Sequence, residues 1–146
     1  MPHLSLPFSA GAPIVDLLIG VSNPRSDALK LAGQPIPAQI PVRALIDTGA
    51  SCTGIDLSIL QKLGIPSTGT IPCHTPSTKK DKPHDAKQYD VSLVLVHSLL
   101  MRSFHALPVI EAELNHQGIQ AIVGRDILSH CLFTYDGQTK NFCLAF

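Results

Sequence analysis

The residues whose types and spacing could do chemistry are Asp47, Thr48, Gly49 and Ala50, which directly follow the apolar residues 44–46. A carboxylate at the end of a strand is held rigidly, a neighbouring hydroxyl can hydrogen-bond to another loop, and Gly lets two backbones approach closely. Two copies of this loop on a two-fold axis would bring two Asp side chains together, and the pair would share one proton. The ionised carboxylate could then activate a water while the protonated one hydrogen-bonds a peptide carbonyl.

The Asp-Thr-Gly motif by itself is a weak signal. Residue frequencies predict it by chance in roughly a few per cent of chains of this length. It also occurs as an ordinary exit from a strand into a turn, in which the Asp side chain hydrogen-bonds its own backbone. The chain has no internal repeat and contains the motif once, so a pair of these carboxylates requires two chains.

A second element further along the chain changes the interpretation. Residues 120–128 begin as an apolar strand pattern that contains Ile122 and Val123, reach Gly124 and continue into a short helix. The order and separation of this element and the Asp-Thr-Gly loop resemble the retropepsin family of aspartic proteases. In that family the apolar pair and the Gly pack against the catalytic loop. The resemblance covers residues 40–146, and residues 13–22 fit the family's first barrel strand.

The resemblance implies a role for each residue of the loop. Asp47 would be the catalytic carboxylate, Thr48 would lock two active-site loops together, and Gly49 and Ala50 would present backbone groups to the substrate. Pepsin-like enzymes carry two such motifs on one longer chain, so this chain would be active only as a homodimer. The implied function is an aspartic endopeptidase that hydrolyses peptide bonds of a peptide or protein substrate, without a cofactor or a metal.

A catalytically silent retropepsin-fold dimer that serves as a protein-binding module is the alternative function. The intact Asp-Thr-Gly argues against it, because a binding module has no use for two repelling carboxylates.

The resemblance also predicts a flap over the active site at residues 71–89. Its first arm contains Cys73, His74, Thr75 and Pro76. The tip lacks the Gly-rich sequence of the retroviral enzymes and is longer and basic, so its motion is expected to differ.

Ser51 is a further departure from the retroviral pattern. The retroviral enzymes have a carboxylate at this position, which pairs with the Arg after the helix-initiating Gly. Arg125 is therefore expected to pair with Asp126 or Asp56 instead. The chain also continues past the last helix into a hairpin, so the dimer seam is expected to differ, with the apolar terminal strand at residues 141–146 available for pairing.

Local patterns predict the elements that position these residues. Apolar periodicity predicts strands at residues 13–22, 40–47, 89–95, 107–112 and 120–123. Asp56 as N-cap and Gly64 after the last apolar residue predict a helix over residues 56–63, whereas residues 23–27 and 33–35 are typical of loops. The turn signal Asp136-Gly137 predicts a closing hairpin over residues 132–146.

The fold is therefore predicted to be mostly β: a closed acid-protease (retropepsin) barrel with one or two short helices, active as a homodimer. Residues 1–12 are interpreted as an N-terminal extension and residues 13–146 as the protease domain.

Charge and hydropathy exclude several other classes of protein. Eleven Lys and Arg residues balance eleven Asp and Glu residues, which removes the positive field that a nucleic-acid or membrane-surface binder needs. The longest apolar stretch, residues 91–101, is far shorter than the roughly 20 residues of a membrane helix. The early apolar segment is interrupted by Asp16 and does not fit a secretory signal. These features predict a cytoplasmic protein without a nucleic-acid or membrane partner.

Histidine and cysteine spacing predicts no further site. The seven histidines show no H-x-x-x-H pattern and the four cysteines no C-x-x-C pair, so no metal site is predicted and the cysteines are expected to be buried free thiols. Ser129-His130-Cys131 suggests a thiol beside a base, but neighbouring residues on a helix point apart.

Overall fold

Ten strands and three short α-helices make up the chain in a computed structural model that describes residues 1–74, 81–97 and 100–146. The strands are β1 (His3–Pro7), β2 (Ile14–Val21), β3 (Ile40–Ile46), β4 (Gly54–Asp56), β5 (Gly69–Cys73), β6 (His84–His97), β7 (Leu100–Ala112), β8 (Ala121–Val123), β9 (Leu132–Asp136) and β10 (Asn141–Ala145). The helices are α1 (Asn23–Leu31), α2 (Leu57–Lys62) and α3 (Arg125–Leu128), and a 3-10 turn spans Asn115–Gln117. None of these helices is long and apolar enough to cross a membrane.

Six strands close into a barrel in the order β2-β3-β8-β4-β7-β6, because β6 also pairs with β2. β5 extends the sheet beside the first half of β6. β3 and β8 run parallel, with Ile46 opposite Val123, so the two sequence elements that were predicted to pack together lie on neighbouring strands. The closed barrel and the predominance of strand confirm the predicted fold class. A single chain does not test the homodimer, which stays a prediction.

The barrel interior is filled by alternate residues of its long strands. Leu17 and Ile19 of β2 are buried and lie opposite Leu95 and Leu93 of β6. Val91 completes the predicted alternating pattern and is also buried. Burying each such side chain contributes about 1.5–3 kcal/mol relative to leaving it exposed. This packing makes the barrel a rigid support for the residues at the ends of its strands.

A second sheet of three strands, in the order β1-β10-β9, lies beside the barrel in the fold. Leu4 of β1 and Phe142 and Leu144 of β10 are buried in the common core. The predicted closing hairpin is confirmed, since β9 and β10 pair antiparallel. Its turn is fixed by Asp136, whose Oδ1 accepts the backbone N–H groups of residue 138 at 2.9 Å and residue 139 at 3.1 Å.

Helix α1 was not predicted, because its residues were interpreted as a loop. Pro24 occupies the first turn, where its missing N–H costs nothing, and the Ser22 side chain accepts the N–H of Arg25 at 3.4 Å as an N-cap. None of the helix residues is buried, so no apolar stripe marks the helix in the sequence. Strand β7 begins at Leu100, before the strand predicted at residues 107–112. Most of residues 101–106 are exposed and carry no alternating apolar pattern that would have predicted a strand.

Asp56 caps α2, as predicted, and also fixes the approach to the 3-10 turn. Its Oδ1 accepts the Ser58 N–H at 2.9 Å, the Ser58 hydroxyl at 2.6 Å and the Asn115 side-chain amide at 3.0 Å. Its Oδ2 accepts the backbone N–H groups of Leu114 at 2.8 Å and Asn115 at 3.0 Å. Burial raises the pKa of Asp56, but the hydrogen bonds from Ser58, Leu114 and Asn115 together lower it by more than burial raises it. The net shift of the pKa is therefore downward.

Asp56 should therefore make the free energy of unfolding depend on pH in the acid range. Its carboxylate stabilises the fold above the unfolded-state pKa of about 3.9, and this contribution is lost as the pH falls through the lower folded-state pKa. We expect Asp56→Asn to lower the free energy of unfolding by about 2 kcal/mol at pH 6, and by less at pH 3. Urea unfolding at one protein concentration measures both values, with the exposed Asp27→Asn as the control. A pH-independent difference would contradict the assignment.

Candidate active site

Asp47 stands where β3 leaves the barrel, in a loop held by backbone hydrogen bonds. Its N–H donates to the Val123 carbonyl on β8 at 3.0 Å, and its carbonyl accepts the Ala50 N–H at 3.2 Å. The carboxylate Oδ1 accepts the Gly49 N–H at 2.8 Å. Asp47 is half-buried, while Thr48 and Gly49 are exposed. The loop thus presents a fixed carboxylate at the protein surface.

Arg125 ties the first turn of α3 to this loop. Its backbone N–H donates to the Ala50 carbonyl at 2.9 Å, and its guanidinium Nη1 donates to the Thr48 carbonyl, also at 2.9 Å. The expected pairing of Arg125 with Asp126 or Asp56 is wrong, because the hydrogen bond of its guanidinium goes to the Thr48 carbonyl instead. With Ser51 in place of a carboxylate, a backbone carbonyl is the acceptor that the guanidinium reaches.

Thr53 and Asp126 form a buried polar network behind the loop. The Thr53 N–H and hydroxyl donate to the two carboxylate oxygens of Asp126 at 2.9 and 2.8 Å. The same hydroxyl accepts the Gly124 N–H at 3.2 Å, and the Thr53 carbonyl accepts the Ile110 N–H at 3.1 Å. Thr53 is fully buried and Asp126 half-buried, and a network of partnered polar groups holds its members in one geometry. This network holds Thr53, and with it the point at which the loop enters β4, in a fixed position.

The role of Thr53 and Asp126 was missed in the sequence. Asp126 was considered only as a partner of Arg125, and Thr53 was not singled out. A Thr before a short apolar strand and an Asp in the first turn of a helix are each unremarkable. No local pattern connects them, because their contact depends on how β4 and β8 meet in the barrel.

Gly124 lies against the segment that follows the Asp47 loop. A Cβ atom at this position would lie 2.5 Å from the carbonyl carbon and 2.6 Å from the carbonyl oxygen of Cys52. Real side chains do not approach a backbone so closely, so only Gly fits here. The structure also places Val123 in the core and leaves Ile122 half-buried, both on the strand next to β3. The predicted apolar pair and Gly therefore pack beside the loop.

The predicted flap begins at the end of β5. Burial raises the pKa of the Cys52 thiol, a hydrogen bond with Ser51 lowers it, and negative charge on Cys73 raises it further. Burial also raises the pKa of the Cys73 thiol at the end of β5. His74 is exposed at the following position. Thr75 and Pro76 lie outside the described residues, and the flap role of these four residues stays a prediction.

All four cysteines are free and half-buried, so they are less buried than expected. Among residues 1–74, 81–97 and 100–146, no three His, Cys, Asp or Glu side chains come together in a way that could hold a metal ion.

Comparison with known proteins identifies the class to which this barrel and loop belong. The family model described as aspartyl protease matches residues 30–127, a range that contains both the Asp-Thr-Gly loop and Gly124. The chain therefore belongs to the aspartyl protease family. Among curated proteins, none matches this sequence.

Three solved structures align with this chain. A retropepsin-like aspartic protease from Rickettsia conorii aligns with a TM-score of 0.61 at 14% identity, over 99% of this chain and 91% of that chain. The EIAV protease complexed with the inhibitor HBY-793 aligns at 0.42 and 14% identity, over 82% and 86%. The retroviral protease-like domain of Ddi1 from Leishmania major gives 0.39 and 14%, over 84% and 81%. The Rickettsia protein supports a retropepsin fold for the described residues.

Proposed function

We propose that this chain is an aspartic endopeptidase whose active site forms from two copies of the chain, each contributing Asp47. The observation that carries the proposal is that the Asp47 loop is held against the second sequence element: the Asp47 N–H donates to the Val123 carbonyl at 3.0 Å, and Gly124 lies so close to the Cys52 backbone that only Gly fits there. Contacts of this kind would hold the half-buried Asp47 carboxylate in one position for catalysis. Membership of the aspartyl protease family supports the same reaction class.

The two Asp47 side chains would divide the chemistry between them. Repulsion keeps one carboxyl protonated while the other is ionised. The ionised carboxylate takes a proton from water, the water oxygen attacks the peptide carbonyl carbon, and the protonated carboxyl gives its proton to the carbonyl oxygen. Collapse of the tetrahedral intermediate then breaks the C–N bond: the proton taken from water passes to the leaving amine, and one hydroxyl of the intermediate returns a proton to the other carboxylate.

Substrate contacts would come from the exposed edge of the site. Thr48 and Gly49 are exposed in the single chain, so this part of the loop is accessible to a second loop or to an extended peptide. Cys73 and His74, together with Thr75 and Pro76, would cover the bound substrate from the flap side. The substrate class would be a peptide or an extended segment of a protein.

Cleavage of an unbiased peptide library, with cut sites identified by mass spectrometry, tests this function. We expect cleavage whose specific activity falls when the protein is diluted below the dissociation constant of its dimer, because a monomer has one carboxylate. Sedimentation at the same concentrations provides the comparison. A monomer that cleaves at full specific activity would rule out the shared site, and a pure dimer without cleavage would favour the silent binding module.

A further inference from the structure

Arg125 places a positive charge at the rim of the Asp47 loop. Its backbone N–H donates to the Ala50 carbonyl at 2.9 Å, which fixes the start of the side chain. Its guanidinium Nη1 donates to the Thr48 carbonyl at 2.9 Å, which fixes the end. The residue is nevertheless exposed. The cation is therefore held in one place beside the candidate catalytic residue and remains accessible from solvent.

Among the described residues, no carboxylate neutralises the charge of Arg125. The acceptor that its guanidinium reaches is a neutral backbone carbonyl. The neighbouring Asp126 receives its hydrogen bonds from Thr53 and from the Ile127 N–H. Ser51, the exposed residue that follows the loop, carries no charge. A full positive charge thus stands beside the site without a counter-charge from this part of the chain.

The guanidinium of Arg125 can bind a second acceptor. A guanidinium carries five N–H groups in a planar fork and stays protonated, and the Thr48 carbonyl engages only Nη1. A substrate that lies over the loop displaces water from the remaining donors, and a cation left in a covered site without a counter-charge is costly. A carboxylate is the group that replaces this water best, because it accepts two parallel, charge-assisted N–H···O bonds.

The negative charge of the two Asp47 side chains restricts where such a carboxylate can lie. A pair that shares one proton carries one negative charge, which repels an acidic side chain at the scissile bond itself. The guanidinium lies one residue step and one hydrogen bond further on, a separation on the order of 7 Å. An extended peptide advances about 3.3 Å per residue. The acidic residue is therefore expected two or three residues from the scissile bond.

We propose that Arg125 makes the site selective for acidic substrates: its guanidinium binds the side-chain carboxylate of an Asp or Glu two or three residues from the scissile bond. The proposal rests on the proposed function and adds the substrate class to it. Arg125 is a specificity-determining residue in this scheme, and its bond to Thr48 positions the guanidinium for the substrate. In a site made from two subunits, each subunit would supply one such cation.

Peptide binding without catalysis tests the selectivity directly. The probe is a positional library of octapeptides, acetylated at the N-terminus and amidated at the C-terminus so that only side chains supply carboxylates. The library is incubated with the chain that carries Asp47→Asn, and bound peptides are identified by mass spectrometry. We expect Glu to be enriched over the equally large Gln by about tenfold at one or two positions. Equal recovery of Glu and Gln at every position overturns the proposal, whether or not the wild type cleaves peptides.

Substitution of Arg125 identifies the residue responsible. Gln is neutral but can still donate to a carbonyl, so Arg125→Gln in the Asp47→Asn chain should remove the enrichment of Glu. Arg125→Lys keeps the charge and loses the fork, and should retain part of it. The control is Arg43→Gln, which removes another exposed guanidinium, one that hydrogen-bonds Ser9, and should leave the enrichment unchanged. Circular dichroism verifies folding. Enrichment that survives Arg125→Gln overturns the assignment.

Kinetics of the wild type provide a measurement that needs no change at Arg125. Two cleaved peptides that differ only by Glu or Gln at the enriched position should differ in KM, because the carboxylate is bound before the chemical step. The difference should shrink as salt is raised, and Lys at this position should give the highest KM. A difference that is independent of salt contradicts an ionic contact. Selective binding without any cleavage would instead contradict the proposed function and leave the role of Arg125 supported.

Discussion

Replacing Asp47 with Asn is expected to abolish peptide cleavage while leaving the chain folded. The amide has nearly the same volume, and its oxygen can still accept the Gly49 N–H that Asp47 Oδ1 accepts at 2.8 Å. An amide can neither take a proton from water nor alternate between acid and base, so we expect a loss of activity on the order of 10⁴-fold. Initial rates on a peptide cleaved by the wild type measure the loss.

A matched control for this variant is available within the chain. Asp136 accepts a backbone N–H two residues further on, from Gln138 at 2.9 Å, just as Asp47 does from Gly49, but it lies in the exposed β9–β10 turn. Asp136→Asn should therefore keep wild-type rates. Mixing experiments add a second check, because an excess of Asp47→Asn should suppress wild-type activity by forming mixed dimers. Substantial cleavage by pure Asp47→Asn would show that the chain is not an aspartic endopeptidase.

Gly124→Ala should be the most disruptive small substitution near the site. The added Cβ would lie 2.5 Å from the Cys52 carbonyl carbon and 3.0 Å from the Thr53 nitrogen. These atoms are backbone, and Thr53 is held by Asp126, so they cannot move aside cheaply. We expect the free energy of unfolding to fall by about 3 kcal/mol, with cleavage lost as the Asp47 loop shifts.

The control for this substitution is Gly69→Ala on β5. A Cβ atom there meets no heavy atom within 4 Å, so its effect should stay within about 0.5 kcal/mol. Urea unfolding at a fixed protein concentration compares the two variants. If Gly124→Ala were as stable as Gly69→Ala, the backbone at Cys52 and Thr53 would be able to move away from an added Cβ atom at low cost, which would contradict this prediction.

The sequence predicted those elements whose signals are local. Buried alternation predicted β2, β3 and the end of β6, and the capping residue Asp56 together with Gly64 predicted α2. Helix α1 was missed because its exposed residues leave no apolar stripe, and Pro24 is as compatible with a turn as with the first turn of a helix. Packing against the barrel decides between these structures, and no short window of sequence contains that information.

The candidate site likewise has one part that the sequence indicates and one part that it does not. Asp47 and Gly124 could be proposed from the sequence because the motif and the apolar strand before each of them are contiguous. The contacts that hold the loop were not found: Thr53 and Asp126 are 73 residues apart, and Arg125 and Thr48 are 77 apart. Arg125 was assigned a carboxylate partner, because charge complementarity is visible in a sequence and a backbone carbonyl is not.

The hydrogen bond from Arg125 to the Thr48 backbone carbonyl affects how far the sequence of this loop can vary during evolution. Every residue carries a backbone carbonyl, so the bond from Arg125 places no demand on the side chain at position 48 or 51. The same holds for the bonds that join Asp47 to Val123 and Arg125 to Ala50. A loop built mainly from main-chain acceptors can accumulate substitutions without losing its shape. Identity of 14% to a protein of the same fold is what such a construction permits.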